Sequence, residues 1–560
     1  MKYTLLSIRR YWIELLALGA VCAGLIVCLA PELVWINTDS DGAHYLFAAK
    51  YLTTAHHMSQ PLYILIGRLF LFLPFGSEAW RMGLISALSS TVTVAFIYLI
   101  VRHYLEDNPK ARLYAIIAGL VYGGSALVIS QSTIIEAYTL SVMCGVIAYY
   151  FHLRKRWAVT SVFLGLGLAI HPFLAFIVWA VLWVNNKSLR YWKHMLITVS
   201  FFLFYLYIPM VKWLNPSDAG MWGNDTLSGF WAGTYGMVSM LLGGLSIWDF
   251  PKRVLDTIAI LGISFTLAMI PLVYYLWVKR KWRDSLLWLM LIPVIFFMVN
   301  LSPQTYVYMI TTIAYGSIAV GIGLSKLNIK WSYLVTIGLL GAMAFNINYF
   351  DIGRTLDPNL SAHKFYTEEL PKIKDGEIFM GGGWTWAIVP LYNRENNRDI
   401  TAICIDTLPS DNYLEQLGVQ GIRVPNWENT EAVYGKISHI DKQWQSALII
   451  AAENPNVWIP KETNPQTYEY EVVKASENEY LMTRWLNVET VTEWRWMPSN
   501  PYDYITGALE VEEWRFILWS TRSMLLVIVI GSVVFLGYWL LLKGYDRRKN
   551  KVVDSEDTEV

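Results

Sequence analysis

The chain has 560 residues, of which 55% are hydrophobic and only 16% charged, against roughly 45–50% and 25% in soluble domains, so a soluble globular protein is excluded. Forty-four basic residues cancel forty-four acidic ones, leaving no net field to recruit nucleic acid. Aromatic residues reach 15%, with 26 Trp, and such rings favour the boundary of lipid and water, so the composition predicts a polytopic membrane protein.

The N-terminus, Met1-Lys-Tyr-Thr-Leu-Leu-Ser-Ile-Arg-Arg, runs into an apolar stretch with no small-residue cleavage site, as expected of a retained first membrane helix. Lipid offers an open backbone no hydrogen-bond partner, so each crossing needs about 20 apolar residues in a helix. Spans are predicted at 13–29, 82–101, 114–129, 137–151, 158–184, 195–211, 258–278, 286–299, 307–324, 333–350 and 525–542. Basic clusters near Arg10, Arg102, Arg154, Arg190, Arg280, Lys326 and Arg547 are all expected on the cytoplasmic side. The run 158–184 joins two such clusters, so it must cross twice or not at all. His171-Pro172 lies at its midpoint, and proline removes a helix bond there, which predicts two short helices meeting at His171 near the outer surface. That gives about twelve crossings with both termini cytoplasmic.

Two outer features follow. One is the first loop, residues 31–80. The other is a polar segment, 351–515, whose compact apolar runs Glu377-Ile-Phe-Met, Ile400-Thr-Ala-Ile-Cys-Ile and Ala447-Leu-Ile-Ile-Ala-Ala predict a small soluble α/β domain. The expected organisation is a transmembrane module over 1–350, this domain, a final membrane helix at 516–543 and a cytoplasmic tail at 544–560. Cys22, Cys28 and Cys144 lie in apolar runs and Cys404 in a polar stretch, so no disulfide framework and no Cys-x-x-Cys metal site is expected.

The first loop concentrates ionisable groups: Asp39, Asp41, His44, Lys50, His56, His57 and Arg68. Asp41-Gly-Ala-His44 opens an apolar stretch, which puts the carboxylate at a helix N-terminus, where the dipole favours its charge; an N-cap requires the same residue type. Glu136 falls at the outer end of the fourth span and His171 at the apex of the split run, so Asp41, Glu136 and His171 share one membrane face. Ionisable groups at membrane depth point to function, while a snorkelling carboxylate and a hydrogen-bonded core histidine account for the same residues. His44, His56 and His57 with Asp39 and Asp41 have metal-ligand chemistry but no recognised spacing, and no metal is expected.

Asp41-Gly-Ala-His-Tyr-Leu-Phe-Ala-Ala-Lys-Tyr51 resembles the first outer loop of the protein O-mannosyltransferases. Pro61-Leu-Tyr-Ile-Leu-Ile-Gly-Arg-Leu-Phe70, Leu73-Pro-Phe-Gly76, Ala79-Trp-Arg81, Glu136-Ala-Tyr-Thr-Leu140 and Gly165-Leu-Gly-Leu-Ala-Ile-His171 are similar to the bacterial and animal branch of that group, long catalogued as a domain of unknown function. Where that branch usually has Asp-Ser-Gly-Glu, this chain has Asp41-Gly-Ala-His44, and its His-Pro-Pro-Gly is represented by His56-His57-Met-Ser-Gln60.

The resemblance implies a GT-C glycosyltransferase: a polytopic membrane enzyme with its active site on the extracytoplasmic face of the cytoplasmic membrane. Its implied reaction moves a hexose, mannose by the family's activity, from a polyprenyl-phosphate carrier to a Ser or Thr hydroxyl of an extracytoplasmic protein, with inversion. Asp41 inherits the role of general base, with Asp39 as the alternative. His44, His57, Arg68, Arg81, Glu136, Tyr138 and His171 are the implied substrate-binding set, and Arg515 and Arg522 share with Arg68 and Arg81 the candidacy for the leaving phosphate. No cofactor is implied beyond the lipid-phosphate sugar as co-substrate, and related mannosyltransferases can form dimers. A lipid or polysaccharide acceptor would use the same residues. A non-enzymatic transporter or scaffold for lipid-linked sugars is the remaining alternative, but transporters tend to place polar residues at the bilayer midplane and to show inverted repeats, neither of which this sequence does.

Overall fold

The computed structural model describes residues 2–34, 41–55, 60–214, 250–278, 284–299, 303–327 and, with gaps, 362–475, together with Leu334 and Gly338. Asp39, His57, Arg515, Arg522, the final membrane helix and the tail lie outside the described residues.

The membrane module is helical: α1 Lys2–Val27, α2 Gly42–Tyr51, α3 Pro61–Phe70, α4 Glu78–Tyr104, α5 Ala111–Gly123, α6 Ala126–Ser132, α7 Tyr138–Leu153, α8 Trp157–Ile170, α9 Pro172–Asn185, α10 Trp192–Ser200, α11 Tyr207–Leu214, α12 Phe250–Phe265, α13 Met269–Val278, α14 Ser285–Val299 and α15 Ile310–Leu324. Among the described residues four stretches are long and apolar enough to cross a membrane: Glu78–Tyr104, Trp192–Val211, Arg253–Trp277 and Tyr306–Leu324. A fifth arises if α5 and α6, bent by 62°, count as one broken span. The spans expected at 333–350, apart from Leu334 and Gly338, and at 525–542 lie outside the described residues, and within the described residues fewer stretches pass by length and apolarity than the expected spans there. The reason is that much of the apolar sequence forms short helices; α8 and α9 have 14 residues each, or about 21 Å at 1.5 Å per residue, against a hydrocarbon core of about 30 Å.

The break expected in 158–184 is present at His171. Its backbone is extended (φ −146°, ψ 94°), Pro172 occupies the first position of α9, and the His171 side chain accepts the Leu174 N–H as the cap of that helix. The chain turns back on itself here. A Cβ built on Gly167 would lie 3.0 Å from the Ala175 Cβ, a separation that a continuous helix cannot produce between residues eight apart.

Small and hydroxyl-bearing residues draw the helices together, as is usual where lipid supplies no hydrophobic drive between them. α4 buries Ser86, Ser89, Ser90, Thr91 and Thr93. Thr91 and Thr93 hydroxyls donate one turn back to the carbonyls of Ala87 and Ser89, and the Ser90 hydroxyl meets that of Ser132 in α6 at 2.6 Å. Glu14 of α1 takes the Arg112 guanidinium of α5 at 2.6 and 2.8 Å and the Tyr98 hydroxyl of α4 at 2.9 Å, so one carboxylate joins three helices.

Beyond residue 362 the chain forms a small mixed sheet flanked by helical segments. β1 Ile378–Gly381, β2 Thr401–Cys404, β3 Val457–Asn464 and β4 Glu469–Lys474 are ordered β2-β1-β3-β4. β1 pairs parallel with both β2 and β3, and β3 pairs antiparallel with β4. The crossover from β1 to β2 runs through α16 Gly383–Ala387 and α17 Val389–Asn396. Side chains alternate across β1 with the period of a strand: Ile378 and Met380 join a cluster with Ile403, Leu414 and Ile459, while Phe379 joins Phe365, Trp386, Tyr45 and Ile134. That second cluster spans both the sheet segment and the first loop, so the α/β unit shares a core with the membrane module.

Candidate active site

α2 is the centre of the site. Residues Gly42 to Ala49 are all buried, and the Asp41 carbonyl accepts the Tyr45 N–H at 2.9 Å. Asp41 occupies the N-cap position, yet its side chain makes no capping hydrogen bond to the helix. The carboxylate therefore sits where the helix dipole favours its negative charge without serving as the cap that the sequence equally allowed.

Tyr45, one turn into α2, packs edge-on to Tyr63 of α3 with ring centroids 4.8 Å apart. Burial pushes the Tyr45 hydroxyl well above its ordinary titration range, and the charges of Asp41 and then Glu136 push it further. Tyr45 is therefore held as a neutral O–H within electrostatic reach of two carboxylates.

Glu136 comes from the link between α6 and α7 and is fully buried. Its backbone is pinned by one hydroxyl of α4: Ser86 Oγ donates to the Glu136 carbonyl at 3.0 Å and accepts the Glu136 N–H at 3.3 Å. Glu136 Oε2 accepts the Ala137 N–H at 3.2 Å. The position of this buried carboxylate is thus set by the fold.

An aromatic wall adjoins these carboxylates. Tyr138, His171 and Tyr308 touch one another, with centroids 5.3 Å apart for Tyr138 and His171, 5.5 Å for His171 and Tyr308, and 5.9 Å for Tyr138 and Tyr308. Phe173 and Phe296 back Tyr308 at 5.1 and 5.9 Å. Both Asp41 and Glu136 lie within electrostatic reach of Tyr138 and Tyr308. Asp41, the Glu136–Tyr138 pair and His171, from three separate stretches of the sequence, thus occupy one neighbourhood.

The remaining expected residues divide. His44 is buried against Trp386 of α16, 5.2 Å between ring centroids. Arg68 donates from Nη1 to the Lys50 carbonyl at the end of α2, and its guanidinium lies 5.3 Å from the Phe72 ring. Arg81 is spent on three backbone carbonyls, those of Ser77, Leu71 and Leu73, and so fastens the loop between α3 and α4. Among the described residues no group of three or more His, Cys, Asp or Glu is placed to hold a metal ion. Sequence reasoning passed over Tyr45 and Tyr308. Tyr45 lay inside the loop motif itself, whereas Tyr308 carried no local signal beyond the Tyr306-Val-Tyr308 pair at the head of a membrane span.

Residues 41–195 match the family model described as the protein O-mannosyl-transferase TMEM260 N-terminal domain. No curated protein sequence matches the chain. Among solved structures, ArnT from Cupriavidus metallidurans bound to undecaprenyl phosphate is 14% identical with a TM-score of 0.40, over 79% of this chain and 77% of that one. The apo form of the same protein gives 14% and 0.43, over 73% and 95%. The Archaeoglobus fulgidus oligosaccharyltransferase in its apo form gives 13% and 0.44, over 81% and 70%.

Proposed function

Because residues 41–195 match the N-terminal domain of a protein O-mannosyltransferase-type membrane glycosyltransferase, we propose that the chain is a GT-C enzyme that moves a hexose, mannose by the family's activity, from a polyprenyl-phosphate carrier to a Ser or Thr hydroxyl of an extracytoplasmic protein. The observation that carries this reading is that Asp41 and Glu136 both lie within electrostatic reach of Tyr45 and of Tyr138, whose ring packs on His171, all in the matched segment.

The reaction needs three things. The acceptor hydroxyl must lose its proton as its oxygen attacks C1 of the sugar, and Asp41 takes that proton as general base. The C1–O bond to phosphate breaks as the new bond forms on the opposite face, which inverts the anomeric centre and releases polyprenyl phosphate. The departing phosphate gathers charge that a cation or donor must meet. Arg68 is the candidate for that role, since one nitrogen serves the Lys50 carbonyl, whereas Arg81 is committed to the loop. Glu136 orients the sugar through its hydroxyls, and Tyr138, His171 and Tyr308 form the wall against which the ring packs. Asp39 is the alternative base, and His57, from the same stretch of sequence, belongs to the substrate-binding set. The site faces the extracytoplasmic side of the cytoplasmic membrane, both termini are cytoplasmic, and the segment beyond residue 362 contacts the acceptor.

Purified Asp41→Asn, assayed with a polyprenyl-phosphate mannose and an extracytoplasmic protein acceptor, is expected to lose transfer by about 100-fold or more, the usual contribution of a positioned base. Undiminished transfer overturns the assignment of Asp41. Transfer to lipid or polysaccharide, with proteins left unmodified, replaces the acceptor class and leaves the residue roles in place.

A further inference from the structure

The helix that begins at Asp41 is gripped at both ends by a part of the chain more than three hundred residues away. At its N-terminal end His44, three positions beyond Asp41 and hence on nearly the same face, meets Trp386 of α16 edge-on, with planes 72° apart and exposures of 3% and 2%. At its C-terminal end Lys50 bonds Glu395 of α17 as well as Glu78, the first residue of α4, at 2.7 Å. The Arg394 guanidinium lies over the adjacent Tyr51 ring at 5.5 Å. Glu395 is itself held, since it accepts the Tyr366 hydroxyl, and that hydroxyl accepts the Asn396 side-chain amide at 2.9 Å.

The two contacts differ in kind, an aromatic edge at one end and an ion pair at the other. α2 has ten residues, about 15 Å of axis. A helix that short, pinned at both ends, can neither tilt nor turn about its axis without breaking one contact. Asp41 rides on it. Misplacement of a reacting group by about 1 Å can cost on the order of 100-fold in rate, so whatever fixes α2 fixes the reaction.

We propose that Trp386 and Glu395 are positioning residues for Asp41: the helix pair α16–α17 clamps α2 and sets the orientation of the carboxylate at its start. This rests on the reading of Asp41 given above. It assigns to the segment beyond residue 362 a part in the chemistry itself, besides any contact with the acceptor.

The test uses the full-length protein in lipid nanodiscs, with Trp386→Ala, Trp386→Phe and Glu395→Gln. Two quantities are read: amide hydrogen exchange over 42–51, which reports local opening of α2, and transfer kinetics with polyprenyl-phosphate mannose. Exchange is expected to accelerate about tenfold in Trp386→Ala and Glu395→Gln. With it kcat falls about ten- to 100-fold while KM for the donor stays within about twofold. Trp386→Phe, which retains a ring edge for His44, recovers most of the loss. Wild-type exchange over α2 in both Trp386→Ala and Glu395→Gln overturns the proposal, as does faster exchange with kcat unchanged. Should Trp386→Ala fail to fold, Glu395→Gln at the half-exposed end decides the matter through the same two quantities. A wild-type protein that transfers no sugar sinks the reaction assigned to Asp41, and the clamp then stands or falls on exchange alone.

Discussion

Asp41 and Glu136 bear on the same buried hydroxyl, that of Tyr45, although one begins α2 and the other links α6 to α7. Their shared reach to Tyr45 makes the site a property of two chain segments, and each segment can be perturbed by itself.

Glu136→Gln keeps the shape of the side chain, and the Ser86 contacts to the Glu136 backbone are indifferent to it. The variant should fold like wild type yet transfer sugar at least about tenfold more slowly, through loss of charge-assisted hydrogen bonds. Ser86→Ala instead frees the backbone, so its cost should appear in stability as well as rate. Thermal unfolding beside initial-rate kinetics separates the two.

Tyr308 supports the aromatic wall by packing, since it touches Tyr138, His171, Phe173 and Phe296. Tyr308→Ala should destabilise the chain by about 3–5 kcal/mol, the usual range for a buried aromatic cut to alanine. Tyr308→Phe preserves the ring and should retain stability within about 1.5 kcal/mol. Denaturation in nanodiscs compares them.

The fold-back at His171 depends on close approach of α8 and α9. A Cβ at position 167 would lie 3.0 Å from the Ala175 Cβ and 3.6 Å from the Cys144 Cβ. Gly167→Leu should therefore force α8 from α9 and α7 and cost about 1–3 kcal/mol or more by overpacking, with a lower unfolding temperature and a smaller yield of folded protein as the observables.

Asp375 ties the stability of the α/β unit to pH. The Arg398 side chain, and then the Asp399 N–H, hold its carboxyl below the usual carboxylate range, through contacts of 2.6 and 3.1 Å. A depressed folded pKa stabilises above the unfolded value of about 3.9 and that gain is lost as pH falls through the folded value. Asp375→Asn should thus melt below wild type at pH 7, and the difference should vanish as the pH falls below the unfolded value and through the depressed folded one. Because Asp375 is exposed, added salt should narrow the gap at pH 7.

How much of this was legible in the sequence follows from the range of the forces involved. Apolar runs located several helices: 82–101 lies within α4, 195–211 overlaps α10 and α11, 258–278 overlaps α12 and α13, and the His171-Pro172 break is where proline chemistry put it, although α1 begins at Lys2 and α12 at Phe250, well before the expected starts. The 62° bend between α5 and α6 was hidden, because Gly124-Ser125 sits inside an apolar run with no proline. At the site, Asp41, Glu136 and His171 could be placed on one face by counting crossings, and Tyr138 came with the family resemblance. Counting could not show that Tyr308 closes their wall, that Trp386 reaches His44, or that Arg81 is consumed by carbonyls, since those contacts come from packing between distant segments. Asp39 and His57 lie outside the described residues, and the choice of base between Asp39 and Asp41 rests on the Asp41→Asn experiment.

The sheet order has a consequence for biosynthesis. β1 lies between β2 and β3, and β3 does not begin until Val457, so the platform behind α16 and α17 is complete only near the end of synthesis. At about 5–20 residues per second, α2 leaves the ribosome roughly 20 to 80 s before that strand. A chain cut off before β3 would carry the Asp41 helix without the completed platform that backs its distant partner, so the hold on α2 is finished only after translation has passed that strand.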